Sequence, residues 1–224
     1  MSFLEKARSC GITPQNIISW VSQKIMFAWG RFSGTLRLRL KARFLGVQVG
    51  HNVHAHGPVG LLRWPGGKIT IGNNVSLVSS WRRATAAALN HPVRLRVFGK
   101  GASIELGDYC ELSGTSITAR SCSIMLGSHV LIGPNCAITD SDFHAHWPAS
   151  ERSINPGMEN DAPVRIGDHV WIGMNTLVLK GVDIGACSII GAGSVVTRNI
   201  PPNCIACGVP ARVIKSNIPD SGHG

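Results

Sequence analysis

The chain has little charge for its length: Asp, Glu, Lys and Arg make up 15% of 224 residues. It also lacks an uninterrupted apolar run of the ~18–20 residues that a membrane-spanning helix needs. The nearest candidate, NIISWVSQKIMFAWG, is short and is broken by Lys24. No apolar core precedes a small-residue cleavage site, so no secretory leader is expected and the chain reads as cytoplasmic. Paired cysteine spacing is missing as well. Seven cysteines form an odd set that fits a reducing compartment and excludes a disulfide framework. One CxxC, Cys204 to Cys207, stands without a second, so no metal or redox site is expected there. Acids are nearly absent from the first 45 residues, where Glu5 faces Lys6, Arg8, Lys24, Arg31, Arg37, Arg39, Lys41 and Arg43. No helix-turn-helix pattern and no aromatic–basic interleaving is found, so nothing except charge suggests nucleic-acid binding, and none is expected.

Glycine is abundant, with 26 copies, and hydrophobic residues make up 44%. That is a turn-rich globular composition. The formal net charge of +10 suits an anionic partner such as phosphate or a membrane surface. Residues 1–46 read as a basic helical segment. It either packs on the body or lies on a membrane as an amphipathic helix, giving peripheral contact at the inner face.

From residue 164 the chain is periodic. Ile166, Ile172, Val178, Ile184, Ile190 and Val196 are spaced by six, and Gly follows four of them at 167, 173, 185 and 191. Val170, Thr176, Val182, Ser188 and Ser194 mark a small or β-branched position four residues after each of the first five beats. The beat returns upstream at Leu106 and Leu112, at Leu126, Ile132 and Ile138, and more faintly at Val49, Ala55, Leu61, Ile71 and Leu77. A period of six fits neither an α-helix nor a simple alternating strand. It fits a solenoid of short strands, in which one aliphatic per strand points inward and glycine occupies positive-φ or cramped turn positions. Three hexapeptides close a triangular coil, and coils stack at about 4.8 Å. Cys110 and Cys136 fall on the small position and read as core fillers. His54 and His56 read as surface residues of an early coil.

The block VRIGDHVWIGMNTLVLKGVDIGACSIIGAGSVVTRNIPPNCIACGVPARVIK resembles the C-terminal block of the hexapeptide-repeat acyltransferases, among them the galactoside, maltose and xenobiotic acetyltransferases and bacterial polysaccharide O-acetyltransferases. The resemblance covers roughly residues 47 to 215. It implies an all-β fold, a left-handed parallel β-helix. It also implies a homotrimer with active sites between subunits, and acetyl-CoA as acyl donor, with no metal. The expected domains are 1–46 helical, 47–215 β-helix with an extruded loop 139–163, and a flexible tail 216–224.

The beat fails between Ile138 and Ile166. Against a coil of eighteen residues this suggests about ten extra residues, which a solenoid can expel only outward. The expelled stretch holds Asp140, Asp142, His144, His146, Trp147 and Pro148. Acyl transfer to a hydroxyl or amine needs a base for the acceptor's proton and a donor for the oxyanion, and imidazole suits the first task. The resemblance places the base at His144, with His146 the other candidate, and Asp142 or Asp140 is expected to fix its tautomer. His144 and His146 could also chelate a metal, but no third ligand is evident. No nucleophile for an acyl-enzyme stands out, so direct transfer is expected.

The same resemblance assigns the cofactor groove to Trp171, Gly173, Met174, Gly191, Ala192, Thr197, Arg198 and Arg212, with Lys180 and Lys215 as further phosphate candidates. A backbone N–H at the Gly173–Met174 turn is the candidate oxyanion donor. Where the galactoside and maltose enzymes have an acceptor-positioning Asn, this chain has Ser113, so the acceptor pocket differs. The stretch 79–101 reads as an interruption of the early coils. The expected function is O-acetylation of a sugar or lipid-linked sugar in surface-polysaccharide or glycolipid synthesis. A sugar N-acetyltransferase and a xenobiotic-type small-molecule enzyme are the alternatives within the class. A non-catalytic β-helix assembly protein is the alternative outside it.

Overall fold

A computed structural model describes residues 11–84 and 88–216. The first ten residues and the tail from 217 lie outside the described residues. The chain opens with a helix, α1 (Pro14–Leu45), and continues as twenty short strands. Thr13 starts the helix: its side chain accepts the Asn16 N–H at 3.2 Å, and Pro14 fills the first turn, where a missing N–H costs nothing. Gly46, at φ 65°, ends it, and the Val47 N–H reaches back to the Ala42 carbonyl at 2.8 Å.

The strands recur in threes. The first sheet holds β1 (Gln48–Val49), β4 (Lys68–Ile71), β7 (Ser103–Leu106), β10 (Ser123–Leu126), β13 (Val164–Ile166) and β16 (Asp183–Ile184). The second holds β2 (His54–His56), β5 (Ser76–Val78), β8 (Glu111–Ser113), β11 (Leu131–Ile132), β14 (Trp171–Ile172), β17 (Ile189–Ile190), β19 (Ile205–Gly208) and β20 (Ala211–Lys215). The third holds β3 (Gly60–Arg63), β6 (Arg94–Val97), β9 (Ser116–Ala119), β12 (Ala137–Thr139), β15 (Leu177–Val178) and β18 (Val195–Val196). All pairings are parallel except the closing β19–β20 hairpin.

Register turns the beat into columns. Ile71, Leu106, Leu126, Ile166 and Ile184 stack in the first sheet. Ala55, Leu77, Leu112, Ile132, Ile172, Ile190 and Ala206 stack in the second. Leu61, Leu95, Ile117, Ile138, Val178 and Val196 stack in the third. All are buried, as are Cys110 and Cys136. Leu95 and Ile117 were not visible as beat positions because their coils are not eighteen residues long. Leu95 also corrects the reading of 79–101: its C-terminal part is strand β6, and the insertion proper is 79–93.

The glycines act by size. A Cβ on Gly167 would lie 2.6 Å from the Ala186 nitrogen, and on Gly173 2.5 Å from the Ala192 nitrogen. Neither has positive φ. That conformation falls two residues later, at His169, Asn175 and Cys187. Helix α1 closes the first end of the stack. Leu38 and Ala42 are buried against it, and at Gly34 a Cβ would meet the Ala55 carbonyl at 2.4 Å. The Ala55 N–H donates to the Thr35 hydroxyl at 3.0 Å, so the helix satisfies part of an open strand edge. His54 and His56 are therefore partly covered by α1 and line clefts beside it, which corrects their reading as plain surface residues.

Two glycines predict opposite outcomes. Gly167→Ala should lower stability by about 1–3 kcal/mol, because a backbone and not a flexible side chain is in the way. Gly30→Ala should be neutral or stabilising by up to about 1 kcal/mol, since its Cβ would meet nothing within 4 Å and a helix interior prefers Ala. Thermal unfolding of both variants beside wild type checks this.

Candidate active site

The loop between β12 and β13 is larger than the sequence suggested. Leu126 pairs directly with Ile166, so no hidden coil lies between them. Those 40 positions replace the 18 that separate Ile166 from Ile184, and 22 residues are expelled, not about ten. The loop carries short 3-10 turns at Ala149–Glu151 and Met158–Asn160.

Its base is pinned by charge. Asp140 is fully buried and accepts the backbone N–H groups of Arg120 (2.7 Å), Ser121 (3.0 Å) and Cys122 (2.7 Å). It is thereby committed and does not orient a histidine. The Arg120 guanidinium is buried and meets Asp161 twice, at 2.8 and 2.6 Å, and also donates to the Pro156 carbonyl. Burial alone would raise the Asp161 pKa. Arg120 and Ser121 outweigh it and hold the carboxyl below the usual range. Arg120 and Asp161 were missed in the sequence; Arg120 gave a faint signal, being an arginine directly after an inward-facing strand.

His144 is exposed, with Nδ1 2.7 Å from the Arg152 carbonyl oxygen. A carbonyl only accepts, so Nδ1 carries the hydrogen and Nε2 keeps a free lone pair. The expected carboxylate is not the orienting group. Asp142 instead takes His146 Nε2 at 2.6 Å and Lys180 Nζ at 2.5 Å on the same oxygen. The reason is local: Phe143 has φ 66°, which breaks the alternation that would have put Asp142 beside His144. Burial would raise the Asp142 pKa, but the Lys180 and His146 hydrogen bonds prevail and lower it. Lys180 is thus occupied within the loop site and is no longer a plain phosphate candidate. Arg152 closes the arrangement by donating to the His146 carbonyl at 3.2 Å.

The other assigned residues fall elsewhere. Gly173 and Gly191 share the corner between the second and third sheets, and Ser113 ends β8 at that same corner. There the Gly173 N–H is used by the Ile190 carbonyl at 2.8 Å and cannot serve an oxyanion. Among the described residues, the Met174 and Ala192 N–H groups donate to no other protein atom. The insertion 79–93 leaves from this corner and folds onto it, where the Asn135 side chain donates to the Ala88 carbonyl at 2.8 Å. Trp171 is half exposed on the second sheet. Thr197 and Arg198 lie on the corner between the third and first sheets, one coil beyond Lys180. Arg212 is exposed on β20. The loop with His144 leaves from that same third–first corner. Within one chain, the histidine and the glycine-lined corner are therefore separated by the width of the third sheet. Among the described residues no cluster of three or more His, Cys, Asp or Glu is arranged to hold a metal ion.

Residues 163–198 match the family described as bacterial transferase hexapeptide (six repeats). The chain carries the transferase hexapeptide repeat. It is 36% identical over 118 residues to the galactoside O-acetyltransferase of Escherichia coli K12, covering 53% of this chain and 56% of that protein. The repeat chain spans about half the length of the relatives it matches by sequence. Two solved structures share the fold. One is a hexapeptide-repeat containing acetyltransferase from Vibrio cholerae, with TM-score 0.53, 24% identity and coverage of 89% of this chain and 90% of that one. The other is a mutant of the N-acyltransferase AntD from Bacillus cereus in complex with dTDP and coenzyme A, with TM-score 0.56, 20% identity and coverage of 79% and 88%.

Arg120→Met strands the Asp161 carboxylate and should cost the loop about 3–5 kcal/mol. Limited proteolysis should then cut within 140–163 while the far-ultraviolet spectrum stays unchanged. Acid should act similarly. The folded pKa values of Asp142 and Asp161 are lowered from 3.8, so their stabilisation is complete above about that pH and is lost as pH falls through the lower folded values. Loop cleavage by an acid-stable protease should rise only below about pH 4.

Proposed function

We propose that the chain is an acetyl-CoA-dependent acyltransferase acting on a sugar hydroxyl, with a left-handed β-helix and a site shared between neighbours in a homotrimer. The observation that carries the reading is the hydrogen bond at His144: an exposed loop histidine whose Nδ1 is tied to the Arg152 carbonyl has Nε2 as its remaining ring nitrogen. In this reading His144 takes the proton of the acceptor hydroxyl as its oxygen attacks the thioester carbonyl. The Met174 N–H, at a corner kept clear by Gly173, Gly191 and Ala192, donates to the oxyanion. His144 then returns the proton to the departing thiolate. Arg198 and Arg212 are the cations suited to the cofactor's phosphates. Ser113, with the 79–93 insertion beside it, borders the acceptor side. Asp142, held by Lys180, positions His146 and through it the loop.

The shared site follows from the separation within one chain. Trimer symmetry would bring the loop corner of one chain to the glycine corner of the next. The sugar acceptor rests on the named relative and on the site's polar surroundings. The surface-polysaccharide or glycolipid role is the same proposal carried to a pathway class.

Thiol release from acetyl-CoA across a panel of sugars and lipid-linked sugars tests the reaction. His144→Ala should lower the rate about 10²–10⁴-fold while binding of coenzyme A persists. Survival of activity would move the base to His146. A mixing experiment tests the sharing. Ala192→Trp, which fills the corner, should be inactive alone. Equal amounts of His144→Ala and Ala192→Trp chains, unfolded and reassembled together, should recover about a quarter of wild-type activity, from sites that draw each intact half from a different chain. No recovery would place the whole site in one chain.

A further inference from the structure

We propose that α1 and the adjoining first coils form a docking surface for an anionic phospholipid bilayer. Three observations converge on it. The first is an apolar stripe. Ile18, Ile25, Trp29, Phe32, Leu36 and Leu40 fall on one side of α1, and each is about half to two-thirds exposed. They lie on the face opposite Gly34, Leu38 and Ala42, which contact the β-helix. At 1.5 Å per residue the stripe runs for roughly 33 Å. Among the described residues no helix is long and apolar enough to cross a membrane, and the pattern is that of a helix lying in the interface.

The second is charge. Residues 6–104 contain fifteen of the chain's 22 Lys and Arg and no Asp or Glu, whereas residues 105–224 contain seven of those bases and eleven of the 12 acids. A solenoid places sequence position along its axis, so this bias becomes a spatial one. The end that carries α1 is cationic and the other end is net negative. Among the described residues none of the α1 cations is in an ion pair.

The third is a cleft of about 360 Å³ between α1 and β2, lined by Arg31, Arg39 and His54 with Ala28, Phe32 and Leu36. Two guanidinium groups and an imidazole converge there over apolar walls without a carboxylate. Burial, then Arg31 and Arg39, hold His54 below its ordinary pKa, which fits cations crowded with no anion between them. A phosphate headgroup has the charge and size to sit there, with acyl chains beside Phe32 and Leu36. Arg82 and Arg83 of the neighbouring insertion line a second cleft with Trp29, and Trp81 next to them in the chain is exposed.

Charge decides between a lipid surface and a second copy. Two copies meeting through this stripe would oppose like charges, with no acid from 6–104 to pair them. An anionic bilayer supplies the missing sign and covers the apolar face. The inference stands apart from the acyl-transfer reading, because the α1 stripe and the Arg31–Arg39–His54 cleft that carry it hold none of the residues assigned to that site.

Flotation of the intact protein with vesicles of phosphatidylcholine, alone or mixed with phosphatidylglycerol, tests it. The protein should float with the anionic vesicles only, and high salt should weaken the binding. Arg31→Gln with Arg39→Gln should lower partitioning about 25-fold, at about 1 kcal/mol per cation. Trp29→Ser with Phe32→Ser should abolish what high salt leaves bound. Both double variants keep the buried face of α1, and thiol release in free solution should match wild type. The proposal is overturned if the protein ignores anionic vesicles, or if both double variants bind them as wild type does. It is equally overturned if the Trp29 and Phe32 substitutions instead reduce the particle's mass in solution, since a second copy would then cover the stripe.

Discussion

The closeness of successive coils governs this molecule. Parallel strands must meet at about 4.8 Å for their amides to pair, and at each corner the backbone of one coil passes over that of the next. Gly167, Gly173, Gly185 and Gly191 leave no room for a Cβ. The inward aliphatics of three sheets fill what remains. Every larger feature follows from that tolerance. Extra residues can leave only at corners, and both long excursions do: 79–93 between the second and third sheets, and the His144 loop between the third and first. In the later coils the second–third corner carries no insertion of its own, and Gly173 and Gly191 each leave it without a side chain at that position.

An expelled loop has no ladder to hold it, so it needs its own anchor. Buried Asp140 gathers three backbone amides, and buried Arg120 clamps Asp161 from below. A charge pair removed from water is a costly device for stability alone. Its use here is geometric. It fixes where the loop leaves the stack, so that His144 can take its tautomer from the Arg152 carbonyl several residues on. Asp142, Lys180 and His146 make a second tie to the following coil. The histidine proposed as base thus depends on a chain of contacts that begins in the core.

The repeat was legible in the sequence because each beat residue faces a period-matched partner, and Ile166 to Val196 could be placed by counting alone. Leu95 and Ile117 could not, because their coils have irregular lengths and counting loses register after an insertion. The same failure undercounted the loop: without knowing that Leu126 pairs with Ile166, part of the 22 expelled residues passes for a coil. The site was legible in composition and less so in geometry. His144, Asp142, Gly173 and Met174 were named, but the partner of His144 was not. A positive φ at Phe143 redirects Asp142, and a backbone carbonyl carries no sequence signal at all. For the same reason the Gly173 N–H looked available until the ladder bond to Ile190 was seen.

A solenoid also converts one-dimensional bias into three-dimensional polarity. In a globular fold, the acid-free stretch from 6 to 104 would be folded back among the later acids and largely neutralised. Here coils meet only their neighbours, so the thirteen described cations between 24 and 104 stay together at one end, and α1 lies across that end with its apolar stripe turned outward. A helix meant only to cap the stack needs one apolar face, and Leu38 and Ala42 with Gly34 supply it. The second face, opposite and lined with Trp29 and Phe32, does nothing for the cap and exposes apolar area at a cost in water. Its presence beside unpaired guanidinium groups is explained by an anionic bilayer, and the direction of the charge bias sets which end of the stack would face it.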